Sequence, residues 1–243
     1  MSQLALAVEA GVTPRHVSFV ESGRATPSRE MVLVLARTLD VPLRERNQML
    51  LAAGYAPIYR ETGIAEPAMS QVRAALDRVL RHHEPFPAVV MDRHWNLMLT
   101  NPAAAAMFTW LLGNSRSTGP ANVLRLMFDP GGLRPYVVNW EQVGEALIQR
   151  VHREAVGGVP DNQTAALLKD VLALPGVPAR WRMPDFTATP TPVVPVQFRR
   201  EHIDVSYFSM VTTVGTPQDV TAQEIRLESF FPADEATERH RWT

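Results

Sequence analysis

The sequence predicts an α+β protein, with an all-helical N-terminal domain followed by a PAS-like domain in which helices flank an antiparallel sheet. Residues 2–53 carry apolar side chains at helical spacing, broken by tight turns and without strand-like alternation. After a segment at 55–67 that holds glycine, proline and polar residues, the pattern changes to strand, turn, strand and helix. We therefore expect a helical domain at 1–60, a linker at 61–69 and a second domain at 70–243.

The composition excludes several kinds of site. The chain of 243 residues has no cysteine, which excludes disulfides, cysteine-ligated zinc and thiol nucleophiles. No apolar run approaches the roughly 20 residues that a membrane-spanning helix needs, and no secretion signal follows Met1, so we expect a cytoplasmic protein without a membrane partner. The net charge is −1, but residues 1–60 hold seven arginines against five acidic residues, a weak basic bias.

The N-terminal domain is expected to contain four short helices. Leu4, Ala7 and Val8 form the apolar stripe of the first helix, which ends at Gly11. Thr13 then acts as N-cap with Pro14 at the first helical position, so a second helix starts three residues after the first ends. Two helices joined by so short a turn fit a helix-turn-helix unit. Two further helices, one capped by a serine and one opened by a proline, would support the pair.

The second helix buries only a narrow stripe, Val17 and Val20, so its other side chains project elsewhere. In a helix-turn-helix unit this helix lies in the major groove of double-stranded DNA. Arginine can donate two hydrogen bonds to guanine, and an apolar ring can pack on a thymine methyl, so we expect base contacts from Arg15, Ser18 and Phe19. Phosphate contacts are expected from Gln3, Thr13, His16 and Arg24. On spacing alone, the solvated surface of an ordinary helical bundle explains these residues equally well.

Two segments, Ser2–Ala5 and Gly11–Arg24, resemble the XRE-type (Cro/C1-like) helix-turn-helix family. The resemblance covers about the first quarter of the chain and rests on the pattern Thr-x-x-x-Val-Ser-x-x-Glu-x-Gly that starts at Thr13. It implies DNA binding, with Glu21 in a structural role. Domains of this family carry a further helix upstream, so either the true start lies before Met1 or that first helix is missing here. In the second case Leu4 and Val8 lose a covering surface.

The second domain alternates helices and strands. Helical spacing at 72–80 predicts an amphipathic helix, and apolar runs at 86–91 and 95–99 predict a hairpin that turns at Asp92-Arg93-His94. Asn101-Pro102 then opens an alanine-rich helix. Later helices are expected at 123–128, 140–154 and 164–174, and later strands at 193–199, 203–214 and 224–230. A sheet with helices packed on one side is the natural arrangement.

This order of elements resembles a PAS-like sensor domain. Six sequence blocks, which occur in order, resemble more specifically the MmyB-like ligand-binding domain. These blocks lie at 92–96, 128–135, 138–140, 175–178, 215–220 and 228–234. The resemblance spans most of the chain from Phe86 onward. It implies a transcription regulator whose sensor holds a small apolar ligand, with fatty-acid-like molecules as the expectation.

Large or adaptable side chains in these elements are candidates to line a ligand pocket, because methionine and aromatic groups fit irregular apolar ligands. The candidates are Met91, Asn101, Met107, Phe108, Met127, Phe128, Trp140 and Phe208. Among them, Asn101 could orient a polar head group. The same residues would also form a filled core, in which case the domain is only a platform for dimerisation or for a partner protein.

The spacing of reactive residues does not indicate an enzyme. The seven histidines form no metal pair at helical spacing, and no phosphate loop or dinucleotide glycine pattern occurs, so we expect no cofactor and no metal site. A small-molecule enzyme on a PAS-like scaffold is the least favoured alternative. The leading hypothesis is a homodimer in which ligand binding shifts two DNA-binding modules over half-sites about one helical turn (~34 Å) apart.

Overall fold

The computed structural model describes residues 1–113, 121–156, 161–183 and 193–242. The chain divides into two compact units. We call Met1–Gly63 together with Thr216–Gln223 the helical unit, and Ile64–Gly215 together with Glu224–Thr243 the sheet unit. The chain thus leaves the sheet unit after residue 215, contributes a short segment to the helical unit, and returns at residue 224. The predicted domain limits of 1–60 and 70–243 did not assign a segment near residue 220 to the first domain, and these limits stay a prediction.

Four short helices build the helical unit. They are α1 (Gln3–Ala10), α2 (Pro14–Glu21), α3 (Arg29–Thr38) and α4 (Leu43–Ala52). The side chains of Ser2, Thr13 and Ser28 each accept a hydrogen bond from a backbone N–H in the first turn of the helix that follows. These bonds satisfy N–H groups that a helix end otherwise leaves unpaired, so the predicted cap of α2 at Thr13 is confirmed.

Two of the three residues in the predicted apolar stripe of α1 are exposed, as expected for a stripe that lacks a covering surface. Leu4 and Val8 are 63% and 74% exposed, whereas Leu6 and Ala7 are buried in a cluster with Val17. Residues four apart share a helix face, so Leu4 and Val8 turn away together once α1 packs against α2 and α3 through the neighbouring face. Spacing alone did not reveal which of two adjacent apolar faces meets the other helices.

The sheet unit contains the predicted elements in the predicted order, together with two short helices, α10 and α11 below, that the sequence analysis did not predict. It consists of α5 (Ser70–His82), β1 (Ala88–Met91), β2 (Leu97–Thr100), α6 (Pro102–Leu112), α7 (Val123–Phe128), α8 (Trp140–Val156), α9 (Asn162–Leu172), β3 (Val196–Arg200), β4 (Ile203–Thr212), α10 (Val220–Glu224), β5 (Arg226–Pro232) and α11 (Glu235–Arg239). The first four residues of α10 belong to the helical unit and its last residue to the sheet unit. Single-turn 3-10 helices occur at 67–69, 134–136 and 179–182.

The five strands form one antiparallel sheet in the order β2-β1-β5-β4-β3. The hairpin between β1 and β2 turns at Asp92, whose carboxylate accepts hydrogen bonds from the backbone N–H groups of His94 and Asn96. Such a carboxylate holds a turn together locally, which is why this hairpin was predictable. The fold is therefore α+β, with a helical region followed by a curled antiparallel sheet and its helices.

Both faces of the sheet are covered at its centre. Ala88, Val89, Val90 and Met91 of β1 are all buried, although alternate residues of a strand point to opposite faces. Val89 and Met91 belong to the main core with α6 to α9. On the other face, Val90 lies opposite Leu227 of β5, which lines the same groove as residues of α5. The amphipathic helix α5 therefore covers the second face of the sheet, whereas the predicted arrangement had helices on one face only.

Candidate DNA-binding surface and ligand site

Helix α2 has one buried residue, and its other side chains are exposed or half-buried. Val17 is 2% exposed and packs in the cluster of the helical unit. Arg15 is exposed, and its guanidinium lies 5.1 Å from the ring centre of Phe19, one turn further along the helix. Because residues four apart share a face, Arg15 and Phe19 form one continuous polar and aromatic surface.

The candidate DNA contacts lie around this surface. Thr13 and Arg24 are exposed at the two ends of α2, and His16 and Ser18 are half-buried along it. Gln3, at the start of α1, donates a hydrogen bond to the carboxylate of Glu21. That bond links α1 to the end of α2, in agreement with a structural role for Glu21. The structure thus gathers these candidates on α2 and the start of α1, and their contact with DNA stays a prediction.

Most of the candidate ligand-binding residues lie in the core between the sheet and the helices. Met91, Met107, Met127 and Phe128 are buried there, and Phe108 and Trp140 pack against them partly exposed. Phe208 lies apart, since it stacks on Phe231 with ring centres 5.6 Å apart. Phe208 follows the buried Tyr207 in β4, so it points to the opposite face of the sheet. Its place in a common pocket with the other candidates stays a prediction.

Asn101 has a structural use for every polar atom of its side chain. Its oxygen accepts hydrogen bonds from the backbone N–H groups of Ala104 and Ala88, each at 2.9 Å. Its amide nitrogen donates to the carbonyls of Phe86 at 2.8 Å and Leu80 at 3.4 Å. This residue caps α6 and ties it to the strand β1, so contact with a ligand head group would require it to give up one of these bonds.

An aromatic cluster joins α7, α8 and the turn at 179–182. The ring of Trp181 lies 5.1 Å from that of Trp140 and 6.2 Å from that of Phe128, measured between centres. Trp181 is buried, but its indole N–H has no hydrogen-bond partner within the described part of the chain. Trp95 of the same core is in the same situation. The sequence indicated Trp181 as one of the large side chains around a pocket, but the lack of a hydrogen-bond partner is visible only once the surroundings of each indole are known.

Two cavities stand out among the described residues. The first, which we call the α5 groove, has a volume of about 350 Å³ and an almost entirely apolar lining. Its walls are Val72, Ala75, Leu76 and Val79 of α5, with Gln71, Thr212, Thr213, Val214, Ile225 and Leu227. The second, of about 450 Å³, is more open and is lined by Pro130, Arg134, Pro135, Trp140, Pro175 and Gly176. Its lining comes from three of the sequence blocks noted above.

Arg134 organises the wall of the second cavity. Its guanidinium lies 3.9 Å from the ring centre of Trp140 and donates hydrogen bonds to the carbonyls of Pro175 and Gly176. A Cβ at residue 176 would come within 2.6 Å of this guanidinium, and the φ of Gly176 is +73°. A side chain at this position would strain the backbone and displace the Arg134 guanidinium, so glycine is favoured here. The blocks at 128–135, 138–140 and 175–178 are thus held together by the contacts of Arg134.

A polar cluster lies beside the β1–β2 hairpin. Asp161, the N-cap of α9, forms an ion pair with Arg93 at 3.1 Å and a hydrogen bond with the ring of His94 at 2.9 Å. Arg93 also pairs with Glu224 at 2.8 Å. Burial by itself would raise the pKa of Asp161, but the hydrogen bond from Thr164 and the charge of Arg93 outweigh it and lower that pKa to about 2. The carboxylate is therefore ionised at neutral pH.

Neither a metal site nor a membrane helix occurs in the described ranges. No three acidic or histidine side chains among these residues are grouped so that they could hold a metal ion. Within the same ranges, no helix has both the length and the apolar character needed to cross a bilayer.

Comparison with known families assigns both parts of the chain. Residues 72–242 match the model of the MmyB-like transcription regulator ligand binding domain. The chain belongs to the MmyB-like transcription regulators. Residues 1–46 match a helix-turn-helix model, so this MmyB-like protein joins an XRE-type DNA-binding region to a ligand-binding domain. These are the parts of a transcription regulator.

Single proteins add little to this family assignment. No curated protein matches the sequence of the MmyB-like chain. Among solved structures, it is similar to that of an RNA-binding light-oxygen-voltage receptor, with 12% sequence identity and a TM-score of 0.31. The alignment covers 98% of this chain and 55% of that one. A likeness of this size carries no argument about fold or activity.

Proposed function

We propose that this MmyB-like protein acts in the cytoplasm as a homodimer that binds double-stranded DNA through α2 and changes its DNA affinity when the sheet unit binds a small, fatty-acid-like molecule. The observation that carries the proposal is the surface of α2. One buried valine anchors the helix, while Arg15 and Phe19 together present a base-reading surface. Arg24 and Thr13 at its ends suit phosphate contacts.

A ligand site in the core of the sheet unit is supported by the indole N–H of Trp181, which is buried and has no hydrogen-bond partner among the residues that the structure describes. A buried donor without a partner costs roughly 1–3 kcal/mol, which a ligand that carries an acceptor would recover. The candidates Phe128 and Trp140 lie against the same indole, and Met127 accepts a hydrogen bond from Trp140 through its backbone carbonyl. In this proposal a carboxylate head group binds at Trp181 and its chain enters among the methionines, which have to move apart to admit it.

A second candidate is that the sheet unit serves only as a platform for dimerisation or for a partner. The close packing of the candidate residues favours it, since Met91, Met107 and Phe128 are each at most 2% exposed. A solid core would leave no room for a ligand chain without rearrangement of these side chains. Ligand binding and operator affinity separate the two candidates.

The DNA-binding proposal is tested on duplexes selected by the full chain from a random library. Arg15→Ala is expected to weaken binding to the selected duplex about 5- to 100-fold, which corresponds to the roughly 1–3 kcal/mol of a bidentate guanine contact. Binding to an unrelated duplex should change much less. Arg29→Ala, an exposed arginine on α3, is the matched control and should leave both affinities unchanged. Equal losses in both variants would contradict the assignment of α2 as the reading helix.

The ligand proposal is tested by native mass spectrometry of the gently purified protein and by titration with a saturated fatty acid of 14 carbons. Trp181→Phe removes the unpaired donor and is expected to weaken fatty-acid binding about tenfold, because a hydrogen bond to a charged group contributes roughly 1.5–3 kcal/mol. Trp242→Phe is the control, since that indole already donates to Tyr207 at 3.0 Å. If no apolar compound co-purifies, and the fatty acid alters neither melting temperature nor operator affinity, the platform function replaces the sensor.

A further inference from the structure

The α5 groove is built entirely from residues of the sheet unit, on the face of the sheet that points away from the main core. Leu227 in its floor pairs across the strands with Val90 of β1 and Thr212 of β4. The next residue of β5, Glu228, pairs with Val89, which belongs to the main core. Because neighbouring residues of a strand point to opposite faces, the sheet separates the groove from that core.

The floor of the groove is apolar and already formed. Leu76 of α5, Ile225 and Leu227 are buried there. Val79 on the α5 wall is 45% exposed, so apolar surface stays open to solvent above this floor. The volume of about 350 Å³ lies within the roughly 300–1,000 Å³ of small-molecule sites. The groove therefore offers room for a small apolar group, whereas the core has to rearrange to admit one.

The helix beside the groove sets its length. Val72 and Val79 both line the groove, and they lie about 10 Å apart along the axis of α5. Between them Ala75 is exposed, and its small side chain leaves the middle of this wall open. The acyl chain of decanoate matches this length. A stable protein interface buries about 800 Å² on each partner, far more than so short a groove provides, so a small molecule is the better occupant.

A positive charge lies at the rim of the groove. Arg78 is exposed on the same side of α5 as Gln71 and Ala75, which line the groove, because residues three and seven apart share a helix face. Arg78 forms no ion pair with any other residue in the described ranges. The described lining residues themselves carry no charge. A carboxylate at the rim would therefore meet the Arg78 guanidinium while its apolar chain lies on the floor.

We propose that the α5 groove is a second ligand site of the sheet unit and that it binds a small amphipathic carboxylate, with its chain between α5 and the strands and its head group at Arg78. The exposed amide of Gln71 is a further hydrogen-bond donor on the same side of the helix. Binding here requires neither DNA nor the proposed core site at Trp181, so the two ligand proposals stand or fall separately.

Calorimetric titration of the full chain with decanoate tests the site. Ala75→Phe places a ring in the groove and is expected to weaken decanoate binding at least about fivefold. Ala74→Phe is the matched control, because Ala74 is also exposed on α5 but does not line the groove, and it should leave binding unchanged. If Ala75→Phe does not fold, Thr213→Trp fills the groove from the strand side and replaces it in the comparison.

The head group is tested with decanoate and the uncharged decanol. Arg78→Ala should weaken decanoate binding about two- to fivefold, as for an exposed ion pair, and leave decanol binding unchanged. Arg73→Ala removes an exposed arginine from a different face of α5 and should change neither affinity. Equal losses for decanoate and decanol in Arg78→Ala would overturn the carboxylate assignment.

Three other results would overturn the site. The first is the absence of decanoate binding to the unsubstituted chain, or equal binding by Ala75→Phe and Ala74→Phe. The second is loss of decanoate binding in Trp181→Phe, which would place the ligand in the core. The third is a change of oligomeric state, measured by light scattering without ligand, in Ala75→Phe but not in Ala74→Phe, since the groove would then be an interface between copies of the chain. None of these results bears on the DNA-binding proposal.

Discussion

Asp161 illustrates how much a single side chain determines in the sheet unit. It caps α9 through the N–H of Gln163, accepts a hydrogen bond from Thr164 at 2.5 Å, and pairs with Arg93 and His94. Its side chain is 18% exposed. Because the partners favour the ionised form by more than burial disfavours it, the pKa falls from 3.8 to about 2.

Asp161→Asn should therefore make unfolding easier by about 2 kcal/mol at neutral pH, the free energy that such a pKa difference represents. The pKa of this carboxyl is lowered in the folded state, so its contribution is complete above about pH 4 and is lost as the pH falls towards 2. Urea unfolding of both proteins from pH 7 to pH 2 measures this, and the two stabilities should converge at the acid end. Asp170→Asn, in an exposed pair, should cost less than about 1 kcal/mol throughout.

At the scale of elements, helix α8 approaches the turn at 179–182 more closely than a side chain allows. A Cβ at Gly144 would lie 2.7 Å from the outer edge of the Trp181 ring. The aromatic cluster of Phe128, Trp140 and Trp181 therefore depends on a glycine within a helix, where glycine by itself lowers stability by about 1 kcal/mol relative to alanine. Close packing of the ring offsets that cost.

Gly144→Ala tests this balance. Overpacking a close contact costs roughly 1–3 kcal/mol, which exceeds the gain in helix propensity, so we expect a net loss of about 1 kcal/mol. Chemical unfolding followed by tryptophan fluorescence measures both the stability and the surroundings of Trp181. Gly131→Ala is the control, because a Cβ there would have its nearest neighbour at an ordinary 3.5 Å. A stabilised Gly144→Ala variant would show that the ring can move aside.

For the whole molecule, charge bears on how strongly it binds DNA. The net charge is −1, and some of the positive charge in residues 1–60 is internally paired, as between Arg44 and Glu61. A chain of this kind neutralises few phosphates. Base contacts by α2 must then carry a larger share of the proposed operator affinity than in a strongly basic protein.

The dependence of operator affinity on salt measures the number of phosphates contacted. Arg24→Ala should reduce the slope of log K against log salt concentration by about 1 for each protomer bound, and should weaken all sequences alike. Arg199→Ala removes a positive charge that pairs with Asp204 at 2.7 Å in the β3–β4 hairpin, and the slope should stay the same. An unchanged slope for Arg24→Ala would remove this residue from the phosphate contacts.

The sequence by itself determined the interactions between residues that lie close together along the chain. Thr13 caps α2 through a residue three positions on, and Asp92 closes its hairpin through residues two and four positions on. These contacts need only a few backbone angles, so the residues that make them can be recognised before the fold is known. For the same reason most of the order of helices and strands could be predicted, while the family was indicated by the resemblance of the sequence blocks.

Only the tertiary structure decided which faces meet and which distant residues pair. Leu6 in place of Leu4 packs in the helical unit, and Phe208 lies on the opposite sheet face from the other ligand candidates. Thr62 and Asp219, which are 157 positions apart along the chain, form a hydrogen bond within the helical unit. Such contacts depend on how the whole chain folds back on itself. The sequence around one residue does not indicate which distant residue it will contact.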